Sequence, residues 1–347
     1  MKPGIANTET IKINMPESLA RSLLNDAAGF EVFKKDGETV NLNSFISSLI
    51  AGYYEKYQEE LSERLQKTKT LLASYIRNPD LLNQASMEIV SGDMASENPA
   101  RKEANSQSIK FRPTRETDGI ITEIEEKRRM THESLSGYFR HMLGSYMQNP
   151  IYERERIIYY QNTAAIERAC SRGESLVFTC RDNPGFLHTV IPYSLVHGPE
   201  ELYNYLLCQE SNDSSRKKTA RSYRLCRIVN PRATPSDKRI DSRVRDCLVR
   251  MEKYGPQFMI NDDVVTCVRL TADGRKSFQK IYQGRPIVDR KDEEDSDGHV
   301  NLYFSCSQEQ LFLYFRRFNP GEITILYPQK LKKRLYQFHY DHLKNLE

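Results

Sequence analysis

No tryptophan occurs among the 347 residues, and no run of eighteen apolar residues occurs either. The second absence excludes a membrane-spanning helix. The opening MKPGIANTET has no apolar segment of the signal-peptide kind, so a cytoplasmic address is expected. The seven cysteines (170, 180, 208, 226, 247, 267 and 306) stand singly, with no C-x-x-C pair. That argues for reduced thiols packed as small hydrophobes rather than a zinc site or a disulfide frame. Glycine-rich phosphate loops and nucleophile–base spacings are missing as well.

Two stretches imitate metal sites and fail on detail. In 289-DRKDEEDSDG-298, Glu293, Asp295, Asp297 and Gly298 fall at calcium-loop offsets, but the twelfth position is Phe304, where a bidentate Glu is required. His339 and His342 stand three apart near the end of the chain, with no third ligand close by and no Glu between them. The expectation is therefore a protein without a metal or cofactor that is not an enzyme. A nuclease built on dispersed carboxylates is the catalytic alternative left open.

What is present describes a polar globular protein. Apolar residues make up 38% and charged residues 28%, with twenty tyrosines, and the length suits two or three domains. The net charge of +4 is unevenly spread. Residues 216–250 carry twelve Lys or Arg against three Asp, so that segment is +9 and the remainder −5. A basic stripe on a near-neutral chain points to a polyanion at one place; a solvated basic loop is the competing reading for 211–220. The stretch 221-RSYRLCRI-228 reads as a strand, with Arg221, Tyr223, Leu225 and Arg227 on one face and Ser222, Arg224, Cys226 and Ile228 on the other. An ordinary core does not take three guanidiniums in eight residues.

The N-terminal region alternates at 10-TIKINM-15, placing Ile11, Ile13 and Met15 on one side and Lys12 and Asn14 on the other. Pro16 suits the first turn of a helix that Gly29 stops. After an excursion at 30–39, 41-NLNSFISSLIAGYYEKY-57 reads as a second helix, capped by Asn41 or Asn43. This order resembles the ribbon-helix-helix family. The resemblance implies Lys12 and Asn14 as nucleic-acid contacts, with Asn43 and Ser44 near a phosphate. A helical dimerisation module without groove contacts is the plainer reading.

Helical patterning runs to about residue 90, and 91–108, rich in Ser, Asn and charge, reads as a linker. The opening is then echoed. In 109-IKFR-112, Lys110 and Arg112 point outward, and helices over 119–130 and 131–147 follow. Residues 109–160 are thus a degenerate second ribbon-helix-helix region, in which the two strands pair within one chain; the alternative is that the first copy needs a second protomer.

Short β-like segments follow a helix at 161–171: 175-SLVFTC-180, 187-LHTVI-191, 202-LYNYLLCQ-209 and 221–228. Their spacing suggests a small barrel. With Pro192, 204-NYL-206 and 223-YRLCRI-228, residues 161–235 resemble the WYL domain, an Sm or SH3-like barrel. Asn204 stands where that tripeptide has Trp, with Tyr203 as the compensating ring. Residues 240–347 carry a βαββαβ order, with strands at 263–270, near Pro286–Val288, 300–305 and 322–327. They resemble the ferredoxin-like C-terminal extension that follows such barrels.

The fold expected is therefore α+β and multidomain: ribbon-helix-helix and helices over 1–90, the linker, the second helical region, the barrel and the extension. The resemblance implies a single-stranded nucleic-acid groove on the barrel, made by Arg221, Arg224, Arg227 and Tyr205. By position it extends to Arg181, Tyr193 and His197. Arg227 has a competing reading as an internal partner of an acid such as Glu201, and Tyr193 as a packed core tyrosine. The whole layout resembles the WYL accessory proteins of type VI-D CRISPR systems. That implies a single-stranded RNA ligand, a type VI-D effector nuclease as partner and a homodimer. A DNA-binding regulator whose barrel senses a nucleic-acid ligand is the second reading, and a dimerisation scaffold the third.

Overall fold

The computed structural model describes residues 10–96, 106–131, 134–200, 202–211 and 218–344. The chain divides into two compact units, residues 1–161 and 162–347.

In the first unit, strand β1 (Ile11–Pro16) is followed by helices α1 (Glu17–Gly29), α2 (Leu42–Leu72) and α3 (Pro79–Ser96). Strand β2 (Ser106–Phe111) then precedes α4 (Arg115–Thr131), α5 (Leu135–Gln148) and α6 (Ile151–Ile158). The stretch read as a linker is helical to Ser96 and becomes a strand at Ser106. β1 and β2 pair antiparallel within the chain, with Lys12 opposite Lys110, Ile11 opposite Phe111 and Ile13 opposite Ile109.

This register fits an internal repeat. If Ile11 matches Ile109 and Lys12 matches Lys110, a pseudo-twofold axis must pass through the Lys12–Lys110 pair, which is where the strands cross. Two hydrogen bonds obey the same symmetry. The Asn14 backbone N–H donates to Ser136 Oγ at 2.9 Å, and that of Arg112 donates to Asn43 Oδ1 at 2.7 Å. Ser136 and Asn43 are each the second residue after a cap: Ser134 accepts from the Gly137 N–H and Asn41 from the Ser44 N–H. The ribbon is completed without a second protomer.

Ile13, Met15, Ile109 and Phe111 turn inward and are buried, as are Leu23, Phe45, Leu49, Phe139 and Leu143 of the helices, and Phe111 meets Phe139 edge-on at 5.7 Å. Each such side chain contributes roughly 1.5–3 kcal/mol by leaving water. One ion pair is enclosed in this core, Asp26 Oδ2 with Arg154 Nη1 at 2.6 Å, and the Tyr146 hydroxyl donates to the same oxygen at 3.2 Å.

The second unit contains most of α7 (Tyr160–Arg172) and a five-stranded antiparallel sheet in the order β6-β5-β4-β3-β7. Its strands are β3 (Ser175–Cys180), β4 (Asn183–His197), β5 (Asn204–Ser211), β6 (Lys218–Arg224) and β7 (Ile228–Thr234). The stretch 221–228 is not one strand. β6 ends at Arg224, a single 3-10 turn covers Leu225–Arg227, and β7 begins at Ile228. Leu225 and Cys226 are both fully buried.

The turn has a geometric consequence. β6 and β7 are the two edges of the sheet; laid flat, they would lie about 19 Å apart at roughly 4.8 Å per strand. Three residues of 3-10 helix rise only about 6 Å. The sheet must therefore curl until its edges meet at this corner, helped by bulges in β3 and β4.

Helix α8 (Ser242–Tyr254) follows, then β8 (Thr266–Leu270), α9 (Ala272–Lys280), β9 (Arg290–Lys291), β10 (Val300–Phe304), α10 (Gln308–Phe315), β11 (Ile323–Tyr327) and α11 (Gln329–Lys344). The sheet order is β11-β8-β10-β9, all antiparallel. The strand expected near Pro286–Val288 lies a few residues later, at Arg290–Lys291. α8 was not anticipated: its apolar stripe of Val244, Cys247, Leu248 and Met251 is interleaved with the charges of the basic segment. That stripe joins Leu207 and Ala220 of the curled sheet to Val268, Leu302, Phe315 and Leu335 in one core.

Candidate nucleic-acid interface

The ribbon presents one exposed face. Lys12, Asn14 and Lys110 are exposed on it, and Arg112 is exposed just beyond β2. Lys12 and Lys110 stand directly opposite each other. Like charges in that position destabilise a strand pair, and an anion between them relieves the repulsion. Asn43 and Ser44 behave otherwise than expected: the Asn43 carboxamide is occupied by the Arg112 N–H and the Ser44 N–H by the Asn41 cap. The start of α2 is thus closed by its own ribbon.

The second basic feature is the corner where the curled sheet meets itself. Arg224, the last residue of β6, lays its guanidinium over the Tyr203 ring at 3.6 Å, and its Cα partner across the strands is Tyr205. Tyr205 also pairs with Val196, beside His197 at the end of β4. Across the turn, the backbone N–H of Arg181 donates to the Arg227 carbonyl at 3.0 Å. Arg181, His197 and Arg227 are exposed and Tyr205 half-buried. The turn therefore gathers Arg181 and Arg227 beside Arg224, Tyr205 and His197. Tyr203, expected to fill the space of a missing Trp, is instead the platform under Arg224, while Asn204 and Leu206 are fully buried. Glu201 lies outside the described residues.

Arg221 belongs to a different cluster. Its Nε lies 3.3 Å from Glu210 Oε2, and its Nη1 is 3.5 Å from Met259 Sδ. Glu210 Oε1 also accepts from the Tyr223 hydroxyl at 3.0 Å and lies 2.8 Å from His188 Nδ1. His188 stacks on Phe178 at 5.3 Å and meets Phe186, which is half-exposed, edge-on at 4.7 Å. Burial, with Cys208 and Glu210 adding to it, pushes the Tyr223 hydroxyl far above its ordinary range. Arg221 and Arg224 thus sit on opposite faces of β6, one engaged by a carboxylate, the other stacked on a ring. The sign of this cluster in the sequence was Glu210 itself, an acid closing the apolar run 204-NYLLCQE-210.

Tyr193 is separate again. It packs against the shared core of the second unit, and burial, then the Glu252 carboxylate, pushes its hydroxyl up while Arg245 opposes them.

Among the described residues no group of three or more His, Cys, Asp or Glu is placed to hold a metal ion, and no helix is long and apolar enough to cross a membrane. The arrangement offers guanidiniums, tyrosine rings and a paired-lysine ribbon, which suits phosphates and unstacked bases.

No family profile and no curated protein matches this chain. Among solved structures, the crystal structure of a CRISPR Cas-related protein matches with a TM-score of 0.70 at 18% identity. That match covers 99% of this chain and 95% of the other. Proteasome accessory factor B/C of Arthrobacter aurescens aligns over 51% of this chain and 26% of its own, at 19% identity and a TM-score of 0.24. The first likeness establishes a shared mixed α/β fold over nearly the full length of both chains.

Proposed function

We propose that this chain is a non-catalytic accessory protein of a CRISPR RNA-guided ribonuclease of type VI-D, gripping single-stranded RNA at the corner of its curled sheet and raising the nuclease's activity. The observation that carries the reading is the nearly full-length fold shared with a CRISPR Cas-related protein. In this reading the five-stranded sheet is a WYL barrel of the Sm or SH3-like kind, and the β8–α11 region is its ferredoxin-like extension. The double ribbon in front of them is the other basic surface. The corner supplies the chemistry: Arg224 held on Tyr203, with Arg227 and Arg181 across the turn, offers forked donors for phosphates, and Tyr205 a ring for a base. Preference for RNA over DNA comes from the resemblance.

The second reading, a duplex-DNA regulator, is favoured by the exposed Lys12–Lys110 pair on the ribbon. Fluorescence anisotropy of matched 30-mers (single-stranded RNA, single-stranded DNA, duplex DNA) at two salt concentrations separates the two. The expected result is tightest binding to single-stranded RNA, weakened at least tenfold in R224A/R227A. The salt slope should fall by about 0.7 for each phosphate contact removed. Duplex preference that survives R224A/R227A and is lost in K12A/K110A would transfer the site to the ribbon. Stimulation of RNA cleavage by a type VI-D effector tests the partner, and sedimentation velocity the homodimer, whose contact the self-contained ribbon leaves to the C-terminal region.

A further inference from the structure

A cavity of about 630 Å³ lies beside β4, away from the corner residues. Its walls come from Pro192 and Tyr193 on β4, the segment leading into α8, and Arg245 in the first turns of that helix. Three cations line it, Lys238, Arg239 and Arg245, against a single acid, Asp237. All three are exposed, and among the described residues no carboxylate lies within ion-pair range of any of them. Some arginines of this unit do find carboxylates, Arg221 with Glu210, Arg275 with Glu294 and Arg334 with Glu309. The cavity is thus an open recess in which cations outnumber acids three to one. The start of α8 is not the attraction, because the Asp241 side chain already accepts from the Arg243 N–H.

We propose that this pocket binds the phosphate end of a nucleotide, with Lys238, Arg239 and Arg245 on the phosphate and the base against Pro192, Ile240 and the Tyr193 ring. Its volume falls within the roughly 300–1,000 Å³ of small-molecule sites. Three cations suit a terminal phosphate, with three non-bridging oxygens and nearly two negative charges, better than an internal phosphodiester with two such oxygens and one charge. The occupant is therefore a free nucleotide or the phosphorylated end of a strand, and the proposal stands whether or not the corner binds RNA.

Isothermal titration of the full chain with ADP, pyrophosphate, adenosine, and a dinucleotide with and without a 5′-phosphate tests it. ADP or the phosphorylated dinucleotide should bind at least tenfold more tightly than its unphosphorylated counterpart. R239A/R245A should weaken that binding tenfold or more, R239K/R245K should keep most of it, and R224A/R227A should leave it within twofold. Binding of ADP and pyrophosphate assigns a free nucleotide, and binding of the dinucleotide alone assigns a strand end. The proposal is overturned if no phosphorylated probe binds at 1 mM, if the phosphate makes no difference, or if R239A/R245A binds as the unchanged protein does.

Discussion

Glu210 determines how differently the arginines of 221–228 behave. It accepts from Tyr223, faces His188 at 2.8 Å and holds Arg221 at 3.3 Å. Three donors of a half-buried site converge on one carboxylate. Strand alternation already separated Arg221 from Arg224, and the structure keeps that separation. The carboxylate was invisible to alternation because its partners come from β4 and β6, brought together only by sheet order. Replacing Glu210 with Gln removes the charge and turns one acceptor oxygen into a donor. The Tyr223 hydroxyl then competes with His188 for a single acceptor. A loss of about 1–3 kcal/mol follows from leaving a buried donor unmet, with most of it assigned to Tyr223 and His188 because the Arg221 side chain is partly exposed. Urea unfolding of E210Q measures it, and E210Q/Y223F should recover part of the loss. If E210Q unfolds at the same urea concentration as the unchanged protein, the cluster is not structural.

At the scale of elements, legibility followed periodicity. The inward alternation of Ile13, Met15, Ile109 and Phe111 and the stripe of α5 were readable because nothing interrupts them. α8 was hidden by arginines at three of its thirteen positions, and the break at Arg224 by an apolar pair, Leu225 and Cys226, that a strand and a turn accommodate equally on paper. Pairing of β1 with β2 needed three-dimensional information, since the echo 109-IKFR-112 fits one chain or two. Helix contacts, too, reverse a propensity rule. Gly52 lies in the middle of α2, where Gly→Ala ordinarily stabilises by about 0.5–1 kcal/mol. A Cβ there would collide with the Ile157 carbonyl oxygen and stand 2.9 Å from the Tyr160 ring, so α6 is seated against bare backbone. Gly119 in α4 meets nothing within 4 Å. Thermal unfolding should therefore show G119A gaining stability and G52A losing it by more than 1 kcal/mol. Equal gains in both would mean that α6 does not lie against α2 as described.

Over the whole molecule the two units should answer acid in opposite directions. Burial raises the Asp26 carboxyl above its ordinary 3.8, with Arg154 and Tyr146 only partly countering it. A raised acid in the folded state contributes stability fully present below the unfolded value and lost as pH rises through the folded one. The first unit therefore gains from Asp26 as pH falls from neutral toward 4, although its exposed Asp36 and Glu123 are held low. Depressed carboxyls are concentrated in the second unit: Asp292 through Tyr303, Asp295 through the His299 N–H, and Glu309 through Arg334. Asp289 is low as well, since its hydrogen bonds from Tyr254 and Ser305 outweigh its burial. Their contribution is present above ordinary carboxylate values and lost as pH falls below about 4.5. Hydrogen exchange read by mass spectrometry, corrected for intrinsic rates, can follow each unit separately. Peptides of α1 and α5 should hold or gain protection between pH 6 and 4, while those of β10, α10 and α11 lose it below 4.5. Asp26→Asn should remove the acid gain in α1. Parallel loss in both units would show that Asp26 ionises as an ordinary carboxylate and that the enclosed pair carries no pH signature.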